Sequence, residues 1–375
     1  MRKVEKIKTR VIAFYLPQYH PTPDNDKWWG KGFTEWTNVG KAKPLFRGHY
    51  QPKVPADLGY YDLRLPEVRA AQAELAKEAG IEGFCYYHYW FGDGKQELEL
   101  PFNKVVQTGE PDFPFCLCWA NESWHAKFWD KDGKASSKKI LIEQRYLGHD
   151  DNVKHFYELL PAFRDKRYMK VDGKLLFMIY CPLKFENVAE FLSDWQHLAK
   201  ENGLAEFYFV GQLRGGEQEV SRENINKVLQ LGFDAVNTVR LECAFSQRKF
   251  CIKAMQKILR LFFSTPIMLP YKMAYPYFVS SNEEGPNVYP TIISNWDHTP
   301  RSGRNGVVLT GSTEYFFRLH VRDVLNHILT KDSKDQIIFL KSWNEWGEGN
   351  YMEPDLKYGK SFIHALKSEL CKHSI

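Results

Sequence analysis

Eight apolar runs of strand length, separated by stretches with helical periodicity, constrain this chain more than any other feature. The runs cover residues 11–19, 83–90, 115–119, 175–181, 207–212, 235–239, 291–296 and 337–343. Most are nearly continuous rather than alternating, which is the pattern of parallel strands covered on both faces. Helical patterns fall between them at 66–79, 150–163, 187–202, 222–231, 249–262 and 314–329. Strands and helices in this alternation predict an α/β fold, a (β/α)8 TIM barrel. An open doubly wound sheet is the competing architecture, but the Gly-rich phosphate turn of a nucleotide-binding unit is missing after the first run. A chain of 375 residues fits two average domains or one barrel with insertions. With no internal repeat, low-complexity tract or linker, a single domain over 1–375 is expected.

A barrel of this kind carries its active site at the C-terminal ends of its strands. Those ends read Pro17-Gln18-Tyr19-His20, Tyr87-His88-Tyr89-Trp90, Trp119-Ala120-Asn121-Glu122, Asn295-Trp296-Asp297-His298 and Asn344-Glu345. Taken singly, His88 is equally a satisfied core histidine, Asn121 a turn residue and Glu122 a solvated or capping acid. Five strand ends with the same polar and aromatic chemistry point to a sugar-binding mouth. The candidate substrate-binding residues there are Tyr15, Gln18, His20, His88, Trp90, Asn121, Glu122, Trp296 and Asn344. A long insertion, 21–64, adds Trp29, Glu35 and Trp36 from the segment Trp28-Trp29-Gly30-Lys31-Gly32-Phe33-Thr34-Glu35-Trp36. Its ring content argues against disorder, so it is expected to wall the cleft. Glu35 is either a third functional carboxylate or a structural acid held by neighbouring amides.

The last apolar run is followed by Trp343-Asn344-Glu345-Trp346-Gly347-Glu348-Gly349. Glycosidic-bond chemistry needs one carboxyl that donates a proton to the leaving oxygen and a second that acts as base or nucleophile, with pKa values pushed apart by unequal surroundings. Glu345 and Glu348 are the candidate pair. Residues three apart in a strand face opposite sides, so the two converge only if the chain leaves the strand between them. Gly347 is expected to permit that break. An ordinary acidic loop, or a cap on a following helix, is the competing interpretation.

Composition removes several function classes. The formal charge of +5 is mild, and no basic block interleaved with stacking aromatics appears, so nucleic acid is not expected as a partner. The aromatic share of 15 % gathers in polar, Gly/Pro-bearing segments, where rings can stack on the apolar faces of sugars. Seven scattered cysteines suggest reduced thiols and a cytoplasmic setting. The apolar run 11–16 ends too soon for a signal-peptide core, and none approaches a membrane span. Cys116-x-Cys118 lacks zinc-site spacing. Asp24-Asn25-Asp26 and Asp130-Lys131-Asp132 match Asp-x-Asp spacing but sit in turn-like segments, so no metal or other cofactor is expected.

Residues 248–263 form a basic amphipathic pattern, with Lys249, Lys253, Lys257 and Arg260 on one face and Ile252, Met255, Leu259 and Phe262 on another. Such a helix is either an outer barrel helix with a solvated face or a peripheral contact with an anionic inner-membrane surface.

Five segments carry a family resemblance: Tyr15-Leu16-Pro17-Gln18-Tyr19-His20, the 28–39 stretch from Trp28 to Val39, Gly48-His49-Tyr50-Gln51-Pro52, Trp119-Ala120-Asn121-Glu122 and the 343–349 segment. Together they resemble the WbsX family of polysaccharide-biosynthesis proteins, described as glycosyltransferases and related to glycoside hydrolase family 99, the endo-α-mannosidases. The resemblance runs from the first strand to the last. It implies a (β/α)8 barrel and retaining chemistry on an α-linked sugar. It also implies distinct roles: Glu345 as base toward the sugar 2-hydroxyl, whose oxygen attacks C1 to give an anhydro sugar, and Glu348 as general acid/base at the leaving oxygen. Gly347 stands where the mannosidases carry a histidine, so mannose specificity does not transfer. Three functions follow as expectations. The first is a retaining glycoside hydrolase-like enzyme acting on an oligosaccharide or polysaccharide. The second is a glycosyltransferase of lipopolysaccharide, O-antigen or capsule biosynthesis that uses an activated sugar donor. The third is a non-catalytic glycan-binding protein.

Overall fold

The computed structural model describes residues 9–129, 135–248, 250–332 and 336–372. Its centre is a barrel of parallel strands: β1 (Arg10–Tyr15), β2 (Gly83–Trp90), β3 (Phe115–Trp119), β4 (Lys174–Ile179), β5 (Phe207–Arg214), β6 (Ala235–Val239), a split β7 (Val288–Tyr289 and Thr291–Ile293) and β8 (Ile337–Lys341). Each strand pairs with its sequence neighbour, and β8 returns to β1 with Val11 opposite Ile338. Burial explains the near-continuous apolar composition: every residue of β2 is buried, and so is every residue of β8. The predicted fold class is therefore the observed one.

The seam lies at β7. Its first piece pairs with β6, with Val236 opposite Val288, while its second pairs with β8, with Thr291 opposite Phe339. Pro290 stands between them and lacks the N–H that a central strand needs. Three bonds bridge the gap. The Pro290 carbonyl accepts from the Phe339 amide at 3.1 Å, the Asn237 amide donates to the Tyr289 carbonyl at 2.9 Å, and the Thr291 hydroxyl donates to the Thr238 carbonyl at 2.7 Å. The expected strand 291–296 is corrected accordingly. It starts before the proline and stops at Ile293, because the chain turns there toward the rim.

Helices cover the barrel where their capping chemistry allows. Pro66–Ala79 has proline in its first turn, where no N–H is missed, and stops at Gly80 in the left-handed region (φ 84°). Leu100–Thr108 and Ser361–Lys372 were not among the expected helices. The insertion 21–64 holds two short helices, Pro23–Trp29 and Glu35–Lys41. A second unexpected element follows β3: the antiparallel hairpin of Trp124–Trp129 and Ala135–Ile142. Its serines and lysines hide any strand periodicity. A satellite apolar cluster around Tyr271, Phe278 and Leu309 packs beneath the segment between β6 and β8. Among the described residues no helix is long and apolar enough to cross a membrane.

Candidate active site

At the end of β8 the chain forms a tight hairpin. Asn344–Glu345 pairs antiparallel with Asn350–Tyr351 around the 3-10 turn Trp346–Glu348. The left-handed residue that closes it is Gly349 (φ 58°), not Gly347 as expected. This turn brings the two glutamates to the wall of one hollow. Glu345 is buried, with Oε2 2.9 Å from Lys341 Nζ, and its backbone N–H donates to Ser342 Oγ. Glu348 keeps a side-chain exposure of 15 % and meets Arg301 and, at 3.8 Å, His298 Nε2.

Unequal surroundings separate the two acids. Burial pushes Glu345 up to about 7; Lys341 opposes the shift, and the charge of Glu348 adds to it. Burial works against Glu348 as well, but Arg301, Lys341 and His298 outweigh it and hold that carboxyl at about 2. Such a pair titrates as one unit and retains a single proton over the intervening range.

Arg301 is the charge that organises the floor of the cleft. Its guanidinium donates twice to Glu35, at 2.9 and 3.0 Å, and a third time to Glu348. Gly347 makes this possible: a β-carbon there would lie 1.6 Å from Glu35 Oε1 and 3.1 Å from Arg301 Nε. Behind Glu348, Asp297 accepts from Gln51 at 2.6 Å and from the Thr299 hydroxyl, sits 2.8 Å from His49 Nε2, and donates its backbone N–H to the Glu348 carbonyl. Burial opposes its charge, but Lys53, His49 and Thr299 hold Asp297 well below the usual carboxylate range. The Gly48–Pro52 motif thus fixes the backbone that presents Glu348.

Two adjoining hollows share Gln18, Arg301 and Glu348. One, of about 260 Å³, is lined by Leu16, Tyr87, Tyr89, Glu122, Ser123, Trp124, Tyr180 and Glu345. The other, of about 350 Å³, is lined by Trp29, Phe33, Glu35, Thr37, Asn38, Lys41, His125 and His298. Together they have the size of a small-ligand site. Glu345, Glu348, Gln18, Trp29, Glu35 and Glu122 are therefore brought to one cleft. Glu122 is paired with Lys184 and Arg214, whose guanidinium lies 4.3 Å over the Tyr180 ring.

The other expected contacts lie elsewhere, and strand alternation is the main reason. On β2 it is Tyr87 and Tyr89 that face the cleft. His88 and Trp90 point to the helix layer, where His88 Nε2 is 2.8 Å from His155 Nε2 and Trp90 donates to Asp151 at 3.0 Å. Tyr15 likewise faces outward and donates to Gln72. Asn344 is a brace, with Oδ1 and Nδ2 bonded to the N–H and carbonyl of Leu16. Asn121 does the same for Cys181. Trp36 donates to the Tyr61 carbonyl and packs on Trp346. His20 is buried and borders neither hollow. Trp296 borders neither as well, and stacks near His298 with Lys341 Nζ 5.8 Å from its ring. The tryptophans flanking the glutamates, Trp343 and Trp346, belong to the core.

Sequence reading missed Arg301, Lys341, Tyr87, Tyr89 and Tyr180. Lys341 had a visible signal, a lone cation ending an otherwise apolar strand. Arg301 had none, since it lies in a short helix, Thr299–Ser302, outside every expected element. Among the described residues no cluster of three or more His, Cys, Asp or Glu suits a metal ion. Asp24 is paired with Lys95, and Asp26 accepts from the Gly32 amide. Asp130-Lys131-Asp132 lies outside the described residues.

Comparisons with known proteins agree with this architecture. A solved structure titled "Glycoside hydrolase-like protein" is 15 % identical, with a TM-score of 0.60 over 97 % of this chain and 94 % of its own. The GH99 endo-α-mannosidase of Bacteroides thetaiotaomicron, solved with bis-tris-propane, is 13 % identical, with a TM-score of 0.53 over 98 % of both chains. At these identities the likeness is one of fold. Uncharacterized protein WxcX of Xanthomonas campestris pv. campestris is 34 % identical over 98 % of this chain, and the chain spans half the length of that relative. Residues 11–366 match the model of the family described as Glycosyltransferase WbsX, and the chain belongs to that family.

Proposed function

We propose that this chain is a carbohydrate-active enzyme unit that cleaves or transfers an α-linked glycosyl residue of an oligosaccharide or polysaccharide with retention, using Glu345 and Glu348. The observation that carries this reading is the pair of carboxyls on one hollow at the barrel mouth, with pKa values displaced in opposite directions. In the mechanism implied by the resemblance, Glu345 takes the 2-hydroxyl proton as that oxygen attacks C1. Glu348 gives its proton to the oxygen leaving C1. Water or an acceptor hydroxyl then opens the anhydro sugar, which decides between hydrolysis and transfer.

The resting charges run the other way, with the proton on Glu345 and Glu348 ionised by Arg301. Productive binding therefore requires the proton to cross from Glu345 to Glu348 when substrate weakens the hold of Arg301. The two carboxyls line the same hollow, so the transfer stays within the site.

Product analysis with a panel of α-linked oligosaccharides tests the proposal. Glu345→Gln and Glu348→Gln are each expected to cut turnover by about 100-fold or more while binding persists. Full activity in both variants would sink it, and binding without cleavage by any form would favour a glycan-binding module. The family description supports the alternative of a transferase that uses an activated sugar donor. Calorimetry with nucleotide sugars separates the two, since only the transferase gives nucleotide-dependent heat. Among the described residues, five buried free thiols and an exposed Cys371 support a reducing, cytoplasmic setting.

A further inference from the structure

The helix Phe250–Phe263 turns its apolar side chains outward. Phe250 is 86 % exposed, Leu261 77 %, Phe262 72 %, Phe263 68 %, Ile258 57 % and Met255 53 %. This reverses the usual arrangement of an outer barrel helix, whose apolar stripe faces the core. What the helix turns inward is Gln256, which is buried and bonded to Arg248 and to the Met268 carbonyl, with Ile252 and Leu259 half-buried beside it. At 100° per residue, Phe250, Leu261, Ile258, Phe262 and Met255 fall within an arc of about 140°. Lys253, Lys257 and Arg260 form an exposed row along one edge of that arc. Lys249, expected in the same row, lies outside the described residues. The segment contains no acidic residue.

We infer that this face is a docking surface for an anionic lipid bilayer. An apolar face of this breadth, edged by cations, matches a helix lying in the interface plane, with its rings among acyl chains and its cations against lipid phosphates. A second copy of the chain is the poorer fit, because two such faces in contact would bring like-charged rows together without an acid to neutralise them. The helix is tied to the rim of the barrel. It leads into Ile267–Pro270, which pairs with Val307–Thr310, and that strand in turn bonds to Trp296 and Asp297 beside Glu348. A surface-bound enzyme would thus hold its cleft close to a glycan carried on a lipid. The docking itself does not depend on the catalytic reading.

Vesicle sedimentation of the full chain tests the inference. Binding is expected to phosphatidylcholine vesicles that contain phosphatidylglycerol and not to those without it, and to weaken with salt. Lys253→Glu/Lys257→Glu/Arg260→Glu and, separately, Leu261→Ser/Phe262→Ser should each lower the partition roughly tenfold or more. These side chains are exposed, so the thermal transition should stay in place; Glu345→Gln should bind like the unaltered protein. Failure to bind phosphatidylglycerol vesicles, or equal binding by both surface variants, would overturn the inference. So would a concentration-dependent dimer in sedimentation velocity that Leu261→Ser/Phe262→Ser dissolves.

Discussion

The carboxylate of Glu35 lies against Gly347, with Oε1 1.6 Å from the position a β-carbon at 347 would take. A glycine between the two glutamates therefore marks the seat of a buried acid as well as a place where a side chain is missing. Gly347→Ala should displace Glu35 and loosen Arg301. A loss of about 1–3 kcal/mol is expected in denaturant melts, from overpacking at a site with no room to yield. In a Glu35→Ala background the same change should cost much less; equal costs in both backgrounds would refute the contact.

Arg301 keeps Glu348 ionised through a guanidinium that also holds Glu35. Lysine keeps the charge but not the fork that serves both acids. In Arg301→Lys the Glu348 carboxyl should rise from about 2 toward the ordinary glutamate range. The acid limb of the kcat/KM profile should move to higher pH with it. A limb that stays in place would mean that Arg301 does not set the charge of Glu348.

On the proposed mechanism the pair requires one proton, and Glu345, raised by burial, is the group that holds it. Its pKa is raised to about 7, so the proton is retained below that value and lost above it, leaving two adjacent carboxylates. Turnover is expected to fall as pH rises through about 7. A profile flat from neutral to alkaline pH would contradict the shared proton.

Glu353 shows what a structural carboxylate looks like in the same neighbourhood. Its Oε2 accepts from Trp346 Nε1 at 2.6 Å and the Tyr61 hydroxyl at 2.9 Å, and its Oε1 accepts from Gln72 at 2.6 Å. An amide cannot accept on both sides. Glu353→Gln should leave a buried donor unmet and cost about 1–3 kcal/mol, read by thermal or chemical melts.

Trp29 and Trp90 were expected to serve alike and are placed differently. Trp29 lines the cleft and is 38 % exposed, whereas Trp90 is 2 % exposed and stacked on His155. Trp29→Ala should weaken glycan binding with little change in melting temperature. Trp90→Ala should cost about 3–5 kcal/mol of stability. The opposite pattern would reverse the assignment of the two rings.

Much of the barrel was legible because buried parallel strands need unbroken apolar runs, and seven of the eight runs begin within one residue of an observed strand. The exception, β7, was hidden by Pro290, which reads as a stop until its two halves are seen to pair with different neighbours. The paired glutamates and the aromatic insertion were also visible, as residue types gathered at strand ends.

Which of those residues face the cleft could not be read from the chain. A strand's two faces carry equal weight when both are buried, so nothing local distinguishes Tyr87 and Tyr89 from His88 and Trp90; only the closing of the barrel sorts them. Arg301 is the extreme case. Its meaning comes from Glu35, 266 positions away in sequence, and from Glu348, 47 away. Charge pairs at such separations leave no periodic trace, so the sequence by itself determined the barrel and the pair of acids. The tertiary structure alone decided which acid holds the proton, because that depends on burial and on cations brought in from distant segments.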